Sequence, residues 1–104
     1  MRKLIILITG AGGPAGINVI RSLCNYCRII ATDINIFSEG FLFSNIYYIV
    51  HPARHPMFLK DLEDIIEKEI VDLVIPTVDE EIEVLVNSTM KYKKRCFPCN
   101  KGLR

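Results

Sequence analysis

No apolar run in the chain approaches the ~20 residues that a membrane-spanning helix needs. The nearest candidate is the N-terminal Leu4–Ile8, five residues long and closed by Gly10 and Gly12. That is shorter than the ~7–15 apolar residues of a secretory leader, so it reads as a first strand in a cytoplasmic protein. A dominant charge is also missing. Thirteen Lys and Arg face twelve Asp and Glu, for a net +1, so bulk charge argues for neither nucleic acid nor a membrane surface. Low complexity and internal repeats are absent too, and with half the residues hydrophobic and 24% charged, disorder is excluded. What remains is 104 residues, the size of one small domain with one real core.

Charge is unevenly placed. Lys91, Lys93, Lys94, Arg95, Lys101 and Arg104 give the last fourteen residues +6, leaving −5 on the first ninety. A basic strip without interleaved aromatics is a weak footprint for nucleic acid, and it reads as a solvated helix end followed by a linker.

Strand and helix patterns alternate along the chain. Lys3–Thr9 is a continuous, β-branched apolar run, as in a strand buried on both faces. Pro14 suits a first helical turn, and a helix to about Tyr26 sets Ile17, Ile20, Cys24 and Cys27 on one face. Arg28–Thr32 reads as a second strand ending at Asp33. A loop with a short helical turn near Ser38–Phe43 follows, then a third strand, Ile46–Val50. Pro56 is expected to open a second helix running to Ile70, with Asp61, Glu63, Asp64, Glu67 and Glu69 on its solvated face. Asp72–Ile75 is a fourth strand, Asp79–Lys91 a third helix, and Cys96–Phe97 the start of a fifth strand. This order predicts an α/β Rossmann-like three-layer α/β/α sandwich with a parallel sheet of four or five strands, ordered 3-2-1-4-5. Ligands on such sheets bind beyond the carboxyl ends of the strands, here near Gly10–Gly13, Asp33–Asn35, Pro52 and Pro76–Asp79.

Gly10-Ala11-Gly12-Gly13-Pro14-Ala15-Gly16 satisfies G-x-G-x-x-A between a strand and a helix. Such a loop turns tightly, brings backbone N–H groups close to a ligand and presents a helix N-terminus to an anion. No Lys-Ser/Thr follows, so it is not a P-loop. The bland reading is a tight turn that binds nothing. Asp33 closes the second strand, either as the carboxylate that holds an adenosine ribose or as a turn-forming cap, with Asn35 doing the same. In Pro76-Thr77-Val78-Asp79-Glu80-Glu81, Thr77 or Asp79 can cap a helix whose start the acids favour. The functional alternative is a polar rim, with the Thr77 hydroxyl and the Asp79 or Glu80 carboxylate facing a substrate amine or a neighbouring domain.

Cys24-x-x-Cys27 and Cys96-x-x-Cys99 look like a zinc signature, but the pairs are much farther apart than the ~15–20 residues of a compact ribbon. A thioredoxin-like pair belongs at a helix N-terminus, and Cys24 and Cys27 lie at the other end. His51 and His55 flank a proline-bounded connection that does not hold metal geometry, and His55 is placed to cap the second helix.

Taken together, ITGAGGPAGINVIRSL at 8–23, ATDIN at 31–35, YYIVHPA at 47–53 and DLVIPTVDEEIEVL at 72–85 resemble the N-terminal, pre-ATP-grasp domain of ATP-grasp ligases. The closest group looks like the carbamoyl-phosphate-synthase-large-chain-like members. The resemblance implies a ligase in which ATP and Mg²⁺ turn a carboxylate into an acyl phosphate that an amine attacks. It implies no cofactor in this domain itself, with ATP and Mg²⁺ held by later subdomains. Residues 1–104 would then be the substrate-side domain of a longer ligase, not catalytic alone and carrying no catalytic or metal-binding residue. Its partners would be an ATP-grasp lobe, in cis or as a separate polypeptide, and a small carboxylate or phosphate-bearing substrate. The implied substrate or anion contacts are Gly10, Ala11, Gly12, Gly13, Pro14, Ala15 and Gly16, with Asp33, Asn35, Thr77, Asp79 and Glu80 along the strand ends. Two other readings stand beside this one. The first is an NAD(P)-binding oxidoreductase domain, in which Asp33 would favour NAD. The second is a non-catalytic interaction module whose exposed apolar surface drives pairing as a homodimer.

Overall fold

The computed structural model describes residues 2–97. Its strands are β1 (Ile5–Ile8), β2 (Arg28–Asp33), β3 (Ile46–Ile49) and β4 (Leu73–Ile75), and its helices are α1 (Pro14–Leu23), α2 (Phe58–Glu69) and α3 (Asp79–Val86). Short 3-10 turns occupy Glu39–Phe43 and Lys93–Arg95. The sheet is parallel throughout and ordered β3-β2-β1-β4. In register, Ile8 of β1 lies between Ala31 of β2 and Ile75 of β4.

Alternation along β1 feeds two cores. Leu7 joins Ile30, Phe58, Leu62, Ile66, Val74 and Leu85 on the side covered by α2 and α3. Ile6 and Ile8 join Ile20, Ile29, Ala31 and Phe41 on the side of α1 and the first 3-10 turn. Each fully buried aliphatic side chain contributes about 1.5–3 kcal/mol. The α/β three-layer architecture expected from the pattern is therefore present.

Helix ends depart from the sequence expectation, at α1 through a backbone turn and at α2 and α3 where polar side chains compete for the backbone. Helix α1 stops at Leu23, not Tyr26, and the N–H groups of Tyr26 and Cys27 turn back to the Leu23 carbonyl. Helix α3 stops at Val86, not Lys91, because the hydroxyl and N–H of Ser88 both take the Leu85 carbonyl. Helix α2 starts at Phe58, two residues after Pro56. His55 Nδ1 accepts the Met57 N–H and its carbonyl accepts the Phe58 N–H, so the proline lies in a turn. The acids of α2 are not merely solvated. Asp61 accepts from the His51 backbone N–H at 2.9 Å, Glu63 from the Lys91 N–H at 3.0 Å, and Glu69 from the Tyr48 hydroxyl. Past α3, Cys96 forms a parallel bridge with Val74, and the Phe97 N–H reaches the Val74 carbonyl at 2.8 Å. The chain thus returns beside β4, where the fifth strand was expected. The continuation of that strand and Cys99 lie outside the described residues. Among the described residues no helix is long and apolar enough to cross a membrane.

Candidate functional site at the carboxyl edge of the sheet

The exit of β1 organises the site. Gly10 adopts φ +63°, and its carbonyl accepts the Gly13 N–H at 3.0 Å, closing a tight turn. A Cβ on Gly16 would stand 2.1 Å from that carbonyl oxygen, so Gly16, not the exposed Ala15, lets α1 sit close on the sheet. Ala11 is fully buried, its N–H on the Thr32 carbonyl at 3.1 Å and its carbonyl accepting the Gly40 N–H at 3.1 Å. Pro14 occupies the first helical turn, as its ring favours.

On the β2 side, the loop is answered by the chain's own carboxylate. Asp33 Oδ2 accepts the Gly12 N–H at 2.7 Å and the Ser38 hydroxyl, and Oδ1 accepts the Ile34 N–H at 2.8 Å. Both oxygens of Asp33 are thus engaged, and the Gly12 amide that would meet a phosphate is already bonded to an anion. Asn35 forms its own turn, Oδ1 accepting the Phe37 N–H at 2.8 Å.

On the β4 side, the loop meets a buried polar network. Thr77 donates its hydroxyl to the Thr9 carbonyl at 2.7 Å and its N–H to Thr9 Oγ1 at 3.3 Å. Thr9 Oγ1 in turn bonds Glu81 Oε1 at 2.7 Å. The space a Gly10 side chain would fill is taken by Thr77 and Val78, with Glu81 Oε1 3.5 Å from that position. Val78, not Thr77 or Asp79, occupies the N-cap of α3, and no side chain caps it. Asp79 and Glu80 are exposed at the helix start, Glu80 facing Arg54 at 3.5 Å.

Of the residues expected from sequence, the fold brings Gly10 against Thr77, and Gly12 against Asp33. Asn35, Asp79 and Glu80 stand outside both junctions. Sequence reasoning passed over Glu81, which is only 7% exposed. Burial pushes its carboxyl up to about 7, against the Thr9 hydrogen bond; Asp33 and Glu80 push the same way as burial. Its signal was the four-residue step from Glu81 to Leu85, which puts both on the inner face of α3. Ser38, also missed, lies in a loop and carries no periodic signal.

His51 and His55 stack at 4.2 Å, and His51 Nδ1 lies 2.6 Å from Asp61. Among the described residues no group of three His, Cys, Asp or Glu side chains could hold a metal ion.

Residues 6–98 match the family model described as the PylC-like N-terminal domain. No curated protein matches the chain. Among solved structures, L-threonine dehydrogenase from Clostridium difficile is similar at 25% identity and a TM-score of 0.57. That likeness covers 73% of this chain and 24% of the dehydrogenase, so the chain spans about a quarter of that enzyme's length. It matches the Rossmann-like wind of the sheet. The family match runs from β1 past α3 and takes in both polar junctions; the chain belongs to the PylC-like N-terminal domain family, the pre-ATP-grasp domain of ATP-grasp ligases.

Proposed function

We propose that this chain is the substrate-side domain of an ATP-dependent carboxylate–amine ligase of the carbamoyl-phosphate-synthase-like kind, inactive without an ATP-grasp lobe. The observation that carries this reading over its nearest competitor is the bond from the Gly12 N–H to Asp33 at 2.7 Å. A dinucleotide domain keeps that amide for pyrophosphate and that carboxylate for ribose. Here each is the other's partner, which supports the loop as a rigid floor beside a small carboxylate or phosphate-bearing substrate. ATP and Mg²⁺ chemistry falls to the lobe, supplied in cis or as a separate polypeptide, in a cytoplasmic setting. The exposed Ile36, Phe37 and Leu42 near β3 offer apolar surface for that lobe or for a second copy.

The dehydrogenase likeness favours one other reading, NAD(P) binding. Calorimetric titration of the chain with NAD⁺ and NADPH separates the two. The ligase reading predicts no binding up to about 1 mM, where affinity amounts to only about −4 kcal/mol. It also predicts that, joined to an ATP-grasp lobe, ADP release requires both a carboxylate and an amine. Micromolar NADPH binding would overturn it.

A further inference from the structure

Resting on the ligase reading, we propose that Glu81, with Thr9 and Thr32, receives a primary ammonium group carried by the amine substrate. One buried orphan points to a ligand, and a carboxyl with a free oxygen stands beside it. Glu81 is largely buried beneath the glycine turn, Oε1 is bonded to Thr9, and Oε2 keeps access to solvent and has no partner among the described residues. Thr32 Oγ1 is fully buried and has no hydrogen-bond partner among the described residues. The pairing of Ile8 with Ala31 sets Thr9 and Thr32 on the next rung of the ladder. They therefore face the same side of the sheet, on strands about 4.8 Å apart. The Thr9 hydroxyl already accepts from Thr77 and bonds Glu81, so it positions the carboxyl. Glu81 Oε2 and Thr32 Oγ1 remain as acceptors.

Charge selects the occupant. The charged groups acting on Glu81 are the acids Asp33, at the end of β2, and Glu80, on α3 itself. The neighbouring cation from the β3–α2 connection, Arg54, faces Glu80, and His51 faces Asp61. Among the described residues no cation pairs with Glu81, although a buried carboxyl gains most from one. The described residues offer no three-ligand set for a metal ion. An ammonium group brings three donors and no acceptor, which suits a carboxylate oxygen and an orphan hydroxyl. The location is the switch point between β1 and β4, where sheets of this kind take their ligands.

The test is an NMR titration of the isotopically labelled chain with ethylammonium chloride, with tetramethylammonium, acetate and NADPH as comparison ligands. Ethylammonium should shift the Thr9, Thr32 and Glu81 signals saturably, and tetramethylammonium, which has no N–H, should not. Glu81→Gln should weaken binding at least about tenfold, the size of one charge-assisted hydrogen bond. Thr32→Val, nearly isosteric, should weaken it severalfold and supplies the check if the Gln variant misfolds. The ionised carboxylate is the binding form, so affinity should be about tenfold higher at pH 8 than at pH 6. No saturable shift, an equal response from tetramethylammonium, preference for acetate, or unchanged affinity in both variants would overturn the inference. NADPH binding at Gly12 would overturn the ligase reading instead, so the two failures are distinct.

Discussion

Two carboxyl groups flank the exit of β1, and they are treated in opposite ways. Asp33, on the β2 side, has both oxygens filled by two backbone N–H groups and a hydroxyl. Glu81, on the β4 side, is more deeply buried and bonded through Oε1 to one hydroxyl. The first arrangement is a finished anchor: it ties the glycine turn to β2 and to the 3-10 turn. The second is unfinished, a buried acid held high in its titration range by lost hydration. Conformational stability should therefore reside on the β2 side, and responsiveness to pH and ligand on the β4 side.

The largest expected effect comes from forcing the two junctions apart at their shared hinge. Gly10→Ala combines a positive φ with a Cβ 2.6 Å from Thr77 Oγ1 and Val78 Cγ2. It should destabilise the chain by roughly 3–4 kcal/mol in urea unfolding, from αL strain plus overpacking.

Glu81→Gln is expected next in size, and it acts in the stabilising direction. The folded-state carboxyl, raised from 4.5 to about 7, keeps a proton that the unfolded chain gives up across that interval. Stability from this group is thus fully present below about pH 4.5 and lost as pH rises through 7. The wild-type chain should lose roughly 3 kcal/mol between pH 4.5 and pH 8, and the Gln variant should lack this fall. Thermal melts across that range measure it.

Asp33→Ala should cost about 2 kcal/mol at neutral pH, because it removes one carboxylate that accepts three hydrogen bonds, from the Gly12 and Ile34 amides and the Ser38 hydroxyl. Ser38→Ala removes only the hydroxyl and should cost about 1 kcal/mol. If Ser38→Ala proved as costly as Asp33→Ala, the anchor would depend on the 3-10 turn more than on the glycine loop.

The contrast also explains what was legible in the sequence. The apolar runs Leu4–Ile8, Ile29–Ala31 and Leu73–Ile75 announce strands buried on both faces, and with the intervening helical periods they specify the parallel order. The glycine spacing points to the turn at Gly10 and the close helix at Gly16 because both are local backbone demands. Partner choice is not local. Asp33 lies 21 residues from Gly12, and nothing in its neighbourhood distinguishes a ribose ligand from an internal anchor. Glu81 is masked in a different way. As the third of three acids in the first turn of α3, it looks like a charge placed for the helix dipole. Only the rotation of that helix onto Thr9, 72 residues away, turns it inward. Helix ends were misread at Ser88 and His55 because side chains there outcompete the regular ladder.

The most direct measurement is a carbon-detected NMR titration of the Glu81 side-chain carboxyl in the native chain. A midpoint near 7 is predicted, set by burial beside Asp33 and Glu80. A midpoint at the ordinary carboxylate value of 4.5 would mean that Glu81 is hydrated, and the contrast between the two sides of β1 would not hold.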